Sequence, residues 1–275
     1  MRTCRWCVLR PIAGLAAAAL VLVTAACAPK VRVALPTGAG TPLTDVAGAE
    51  QAARASCRAP QALTADLRLS GRIDGERVRG TLQVGLASDS MRIEGLAPFG
   101  APVFVLAAQP SQAVLLLPRE TAVVRGTSAA ELLDAIVGVR LTPADLLAIV
   151  SGCGLADWTV TGGASFADDA WTRIDLDGDR RLWLQRQDAA GPPVIVAAED
   201  ARWRIEYTRA ASGWPEAIRL VQRAAGAART DAAFAVDAPE AMDALPEGAL
   251  DVEVPEGTRV VGVGDLKKRR ELVER

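Results

Sequence analysis

The feature that most constrains the fold is a long, strict alternation of polarity. Leu63, Ala65, Leu67, Leu69, Gly71 and Ile73 are separated by Thr64, Asp66, Arg68, Ser70 and Arg72. After Asp74-Gly75 the pattern resumes, with Val78, Gly80, Leu82, Val84 and Leu86 set against Arg77, Arg79, Thr81 and Gln83. Only an extended chain sends successive side chains to opposite faces, so the pattern predicts two strands, each with one apolar and one polar face. Asp-Gly between them tolerates the positive φ of a tight hairpin turn.

Met91–Leu106 continues as strand, loop and strand. Met91 and Ile93 alternate with Arg92 and Glu94. Ala97-Pro98 ends that strand, because proline has no N–H for the ladder. Gly100 and Pro102 bend the chain back, and Val103–Leu106 resumes with β-forming residues. Phe99 stands at the tip, where turn chemistry favours polar groups. It either folds back onto the core or points at something apolar outside.

Further strands are expected near Val114–Leu117 and Ala122–Val124. In the second half they fall near Trp158–Thr161, Thr172–Asp177, Arg181–Gln187, Val194–Ala197, Arg202–Thr208, Ala217–Arg223 and Ala233–Asp237, with a last one at Leu250–Val254. Short helices interrupt this antiparallel meander. Asp45–Cys57 is Ala-rich, with Thr44 as its candidate N-cap. Ser128-x-x-Glu131 is a capping box opening a helix to about Val137, ended by Gly138. Thr142-Pro143-Ala144-Asp145 opens another, ended by Gly152. Leu266–Glu274 reads as a charged, solvated terminal helix. The fold class is therefore mainly β with short helices (α+β).

The chain has 275 residues and a net charge of −2, which argues against the basic field that nucleic-acid binding needs. It contains no histidine, which removes the usual general base and the commonest metal ligand. No phosphate loop, paired-carboxylate motif or cofactor fingerprint stands out, and a non-enzymatic role is expected. Asp175-x-Asp177-x-Asp179 imitates the start of a calcium loop, but Arg180 and Arg186 occupy the positions that need glycine and glutamate. A hairpin turn at Asp177-Gly178 is the better reading.

Arg2, Arg5 and Arg10 precede an apolar stretch, then Ala25-Ala26 and Cys27. A basic head, a short apolar run and small residues make a secretory signal. The small pair before a cysteine resembles the bacterial lipobox, which implies a lipid anchor on Cys27. Ala28 rather than aspartate after that cysteine favours the outer membrane under the enteric sorting rule. Residues 1–26 are thus expected to be a lipoprotein signal peptide, 27–43 a lipidated tether, 44–254 the folded domain and 255–275 a charged tail. In an oxidising compartment Cys57 and Cys153 form a candidate disulfide, the alternative being two separate buried thiols. Arg68, Arg72, Arg77, Arg79 and Arg92 occupy polar strand positions. They form either a solvated face or a contact for lipid headgroups or an acidic partner.

The order of parts resembles the LolA/LolB-like superfamily of envelope lipoprotein carriers and receptors, nearest to its lipidated outer-membrane LolB type. Arg92-Ile93-Glu94 through Pro98-Phe99-Gly100 carries the likeness most specifically. Ser128–Gly152 and Trp203–Tyr207 support it. The resemblance implies an incomplete, strongly curved antiparallel β-barrel with a helical lid, whose hollow interior binds acyl chains of lipids or lipidated proteins. It implies a membrane-inserting loop at Pro98, Phe99 and Gly100, and a periplasmic carrier protein as a partner. Cavity candidates are Leu67, Leu69, Leu82, Val84, Met91, Ile93, Trp203, Ile205 and Tyr207. Lid candidates are Leu132, Leu133, Ile136, Leu146, Leu147 and Ile149. The alternative is an envelope scaffold that uses the same fold as a protein-binding surface around a packed core.

Overall fold

The computed structural model describes residues 32–73, 75–97, 100–126, 128–137, 139–188, 191–223 and 230–266. Cys27, Asp74, Pro98, Phe99 and Gly138 lie outside the described residues, as does the expected terminal helix beyond Leu266.

Long alternating segments dominate, and they assemble into one large curved sheet that does not close on itself. Among the described residues the strands are β1 (Thr41–Pro42), β2 (Ala62–Ile73), β3 (Glu76–Ala87), β4 (Met91–Leu96), β5 (Pro102–Gln109), β6 (Gln112–Leu117) and β7 (Ala122–Gly126). The second half supplies β8 (Val160–Phe166), β9 (Trp171–Leu176), β10 (Arg181–Arg186), β11 (Pro193–Glu199) and β12 (Trp203–Arg209). It continues with β13 (Pro215–Gln222), β14 (Asp231–Met242) and β15 (Arg259–Val261). The spatial order is β1-β8-β9-β10-β11-β12-β13-β14-β2-β3-β4-β5-β6-β7-β15. The two hairpin-built halves meet where β14 pairs with β2 from Met242↔Ala62 to Asp231↔Arg72. β14, at 12 residues, is more than twice the expected length because it pairs along nearly the whole of β2, itself 12 residues.

Three helices cover the inner face: α1 (Val46–Ser56), α2 (Ala129–Val137) and α3 (Pro143–Val150). The N-cap of α1 is Asp45 rather than Thr44; its Oδ1 accepts the Gly48 amide at 2.8 Å. A carboxylate there also faces the positive end of the helix dipole, which a threonine would not match. For α2, Ser128 Oγ accepts the Glu131 amide. For α3 the box is reciprocal: Asp145 N–H donates to Thr142 Oγ1, and the Thr142 amide to Asp145 Oδ2. Beyond α3, Gly152 at φ +81° lets the Cys153 amide turn back onto the Ala148 carbonyl.

Cys57 and Cys153 are joined by a disulfide with their Cα atoms 4.9 Å apart. The bond pins the end of α1 to the end of α3 across a loop closed by 96 residues of separation.

The sheet takes in residues that the sequence assigns to tether and tail. Thr41 and Pro42 pair with Ser165 and Ala164 at one edge. At the other, Arg259–Val261 pairs with Ala122–Val124, in parallel. The strand expected at Leu250–Val254 does not form. Residues 251–255 cross over the outer face, and Val252 and Val254 pack on Val105, Leu116 and Val123. The segment finds its partner in a sheet surface instead of a ladder. Consequently β5–β7 are apolar on both faces. Arg92 holds this strap by donating to the carbonyls of Ala249 and Asp251, at 3.2 and 2.7 Å. The strand expected at Trp158–Thr161 is centred later, on Gly162–Phe166, because β1 and β9 supply partners that let a glycine pair sit in a ladder.

The outer face of β10–β14 carries a continuous polar chain. The Trp183 indole donates to Glu199; Arg204 joins Glu199 to Glu206; Arg219 joins Glu206 to Asp231. Glu199 and Glu206 are each 4% exposed. Burial pushes the Glu199 carboxyl up, and the hydrogen bonds from Trp183 and Arg204 outweigh it, leaving the group below its ordinary value. Buried carboxylates persist here because each one is hydrogen-bonded to a cation.

Replacing both Cys57 and Cys153 with serine should lower unfolding stability by about 2–5 kcal/mol, read as a lower denaturant midpoint. An unchanged midpoint would show that the bridge constrains nothing in the unfolded chain.

Candidate functional site

The inner surface divides into a solid part and a hollow part. Across β9–β12 it is solid. Ile174, Leu182, Leu184 and Ile195 are each completely buried there, and α1 packs over β8, β9 and β11 with Ala53 facing inward. Between β13-β14-β2-β3-β4-β5 and the α2–α3 pair the surfaces meet only in part, leaving a cavity of about 380 Å³. Ligand pockets for small molecules begin at roughly this size.

Of the expected cavity residues, Leu67, Leu69, Leu82, Val84 and Ile93 line it. Met91, Trp203, Ile205 and Tyr207 do not; they are buried in the adjoining core. Their placement has a physical cause. The Tyr207 phenol donates to the Ile149 carbonyl at 3.1 Å, which seats α3 against β12 and closes that part of the inner face. Burial raises the phenol's pKa, so it stays protonated and remains a donor. From the lid, Leu133, Ile136, Leu146 and Ile149 face the cavity, whereas Leu132 and Leu147 pack away from it in the core. Several lining residues carried no such expectation: Phe104 and Leu106 on β5, Ile218 and Leu220 on β13, and Phe234 on β14. The topology that brings β13 and β14 beside β2 is what recruits the last three, and single-strand alternation contains no signal for that pairing.

The lining has a polarity gradient. Leu86, Leu106, Val84 and Leu67 are buried at the inner end. Ile73 and Val78 at the β2–β3 turn, with Leu96 and Val103 flanking the β4–β5 loop, are half-buried at the outer end. The mouth therefore lies between those two loops and the α2–α3 connection. Arg79 is the one charged residue in the lining and Thr81 the one hydroxyl. Of the loop residues, Gly100 is exposed at φ +81°, and its amide donates to the Ala97 carbonyl.

Two glycines shape the hollow. Gly80 and Gly95 lie on the inner face, opposite Leu69 and Leu82 respectively. A Cβ at Gly80 would meet nothing nearer than the Leu96 carbonyl oxygen at 3.9 Å, so the missing side chain is itself part of the void. A Cβ at Gly95 would run into the Phe104 ring. Gly95 thus lets that ring lie flat on the sheet instead of standing in the cavity.

The remaining motifs resolve simply. Asp175 binds Arg173 and Asp177 binds Arg180, so two of the three aspartates of the calcium-like run are engaged with arginines. A larger hollow of about 700 Å³ between the tail and the Ser88-Asp89 turn is open and lined by Asp89, Asp243 and Asp251, a surface suited to water.

No protein-family model matches the sequence, and no curated protein does. Among solved structures the chain is similar to a LolA superfamily protein from Nitrosomonas europaea. The identity is 10%, over 75% of this chain and 97% of that one, with a TM-score of 0.49. It is similar to a DUF1329 family protein from Desulfovibrio piger at 12% identity, over 75% and 94% of the two chains, with a TM-score of 0.45. It is also similar to a provisionally assigned outer membrane lipoprotein-sorting protein domain from Vibrio parahaemolyticus at 10% identity, over 84% and 98%, with a TM-score of 0.41.

The two glycines should respond oppositely to substitution. Gly80→Leu should fold normally and weaken binding of a fluorescent fatty acid at least tenfold, because the leucine occupies the site. Gly95→Ala should lower stability by about 1–3 kcal/mol through overpacking against Phe104, read by denaturant melts. Full probe binding by the Gly80 variant would place the ligand elsewhere.

Proposed function

We propose that the protein is a lipid-anchored, non-enzymatic envelope protein that takes up acyl chains of lipids or lipidated proteins. One observation carries this reading: the interior is lined almost wholly by hydrocarbon and is not filled by the protein's own side chains. A chain of some 15 methylenes gains about 12 kcal/mol on leaving water, at roughly 0.8 per CH₂. A protein that accepts such a chain must offer a comparably dry interior. The lining described above does so, with no carboxylate or imidazole placed to perform chemistry on a bound ester.

In this reading Cys27 tethers the domain to the outer membrane facing the periplasm. The chain receives cargo from a periplasmic carrier and delivers it, the function of the LolB type. Phe99, the apolar residue between β4 and β5 in the sequence, enters the bilayer. The scaffold alternative calls for a packed core, so the hollow favours the carrier reading.

The test is organic extraction of protein purified without detergent, with Cys27→Ser so that no covalent lipid enters the count. Mass spectrometry should find acyl-bearing lipid near one per chain, reduced severalfold in Gly80→Leu. Lipid-free protein that also fails to bind the fluorescent fatty acid would sink the proposal. Phe99→Glu should leave fatty-acid binding unchanged while slowing transfer to vesicles.

A further inference from the structure

The five arginines singled out on the polar strand positions fall into two sets. Arg92 is engaged by Glu94 and by the tail carbonyls, and Arg68 by Asp237 at 2.9 Å. Arg72 reaches only the Gly75 carbonyl, and Arg77 and Arg79 have no hydrogen bond or ion pair among the described residues. The register makes this set unusual, since Arg72 is directly opposite Arg77 and Ser70 opposite Arg79. Like charges on paired positions lie about 5 Å apart at Cβ and destabilise the hairpin. Asp231, the acid in register with Arg72, is held by Arg219 through both carboxylate oxygens. Glu76 is the remaining described acid at the turn, and it is opposite Ile73. On β10–β14 the same outer face pairs its arginines with acids; here it does not.

The position of the patch matters as much as its charge. Ile73 and Val78 line the cavity mouth on one face of the β2–β3 end, while Arg72 and Arg77 are exposed on the other and Arg79 is exposed at the edge of the lining. A hairpin end with half-buried aliphatic residues on one side and long cationic side chains on the other matches the boundary between headgroups and acyl chains, where arginines reach the phosphates while their stems stay in apolar surroundings. We infer that the β2–β3 end is a docking surface for an anionic lipid bilayer, held by Arg72, Arg77 and Arg79 so that the cavity mouth faces the membrane. This rests on the acyl-chain reading of the cavity.

The test is transfer of a fluorescent fatty acid from vesicles to the full chain carrying Cys27→Ser. Vesicles of phosphatidylcholine alone are compared with vesicles containing added phosphatidylglycerol. The parent should take up probe faster from the anionic vesicles, and added salt should remove the difference. Each arginine near an anionic surface contributes about fivefold in affinity. Arg72→Gln with Arg77→Gln should therefore slow uptake from anionic vesicles by about tenfold or more and leave uptake from neutral vesicles unchanged. The double variant should melt at the parent's temperature or above, since it relieves the opposition of Arg72 and Arg77. Equal slowing on both vesicle types, or no slowing on anionic ones, overturns the inference. Binding of the probe in solution, without vesicles, separates the two claims: its loss in the parent refutes the acyl-chain reading. Its presence without any charge dependence refutes the bilayer surface alone.

Discussion

An apolar sheet face has to be covered, and this chain has too little helix to cover the one it makes. The inner face runs across the whole sheet, and among the described residues α1, α2, α3 and the segment at Val263 and Leu266 lie against it. Over β9–β12 the distance closes and side chains interlock. Over β13–β5 the lid helices bridge the concavity without filling it, and the hollow follows from that shortfall. Apolar walls without partner atoms across the gap forgo the contacts that a filled core would make. A site of this kind is retained most readily if something apolar resides in it.

The convex side is governed by a different rule. Where β10–β14 expose polar positions, acids and arginines alternate across strands, and even nearly buried glutamates are tolerated. Where β5–β7 expose apolar positions, the tail crosses over them and Arg92 ties it down. Only the end of the β2–β3 hairpin combines opposed cations with a nearby apolar rim. A surface left electrostatically unresolved at the opening of an acyl-sized hollow has a different status from one left unresolved at random.

The sequence made the strands and the helix caps legible because both depend on near neighbours. Alternation at Leu63–Leu86 and the Thr142/Asp145 box are short-range patterns with short-range causes. Half of the cavity was legible for the same reason, since Leu67, Leu82, Val84 and Ile93 sit on consecutive paired strands. The other half was not. Ile218, Leu220 and Phe234 reach the site only because β14 pairs with β2 over a separation of some 170 residues, and no local signal encodes that partner. Trp203, Ile205 and Tyr207 have the alternation of cavity residues, but the Tyr207 phenol draws α3 onto them. Gly80 was visible as a letter in an apolar row. Its meaning as missing volume required the surrounding residues in place.

These two halves also differ in how firmly they are held. The solid half is bound by the disulfide, by Arg209 donating to the carbonyls of Ile195, Gly213 and Gly152, and by Tyr207 on α3. All of these act on the β11–β13 side and on the C-terminal end of α3. The hollow half has apolar contact across a gap, with fewer atoms in contact to resist opening. α2 is itself seated on β5–β7, with Ala129, Leu132 and Ala135 buried, while Leu133, Ile136, Val139 and Leu141 line the cavity. Access for a hydrocarbon chain follows from where the packing stops.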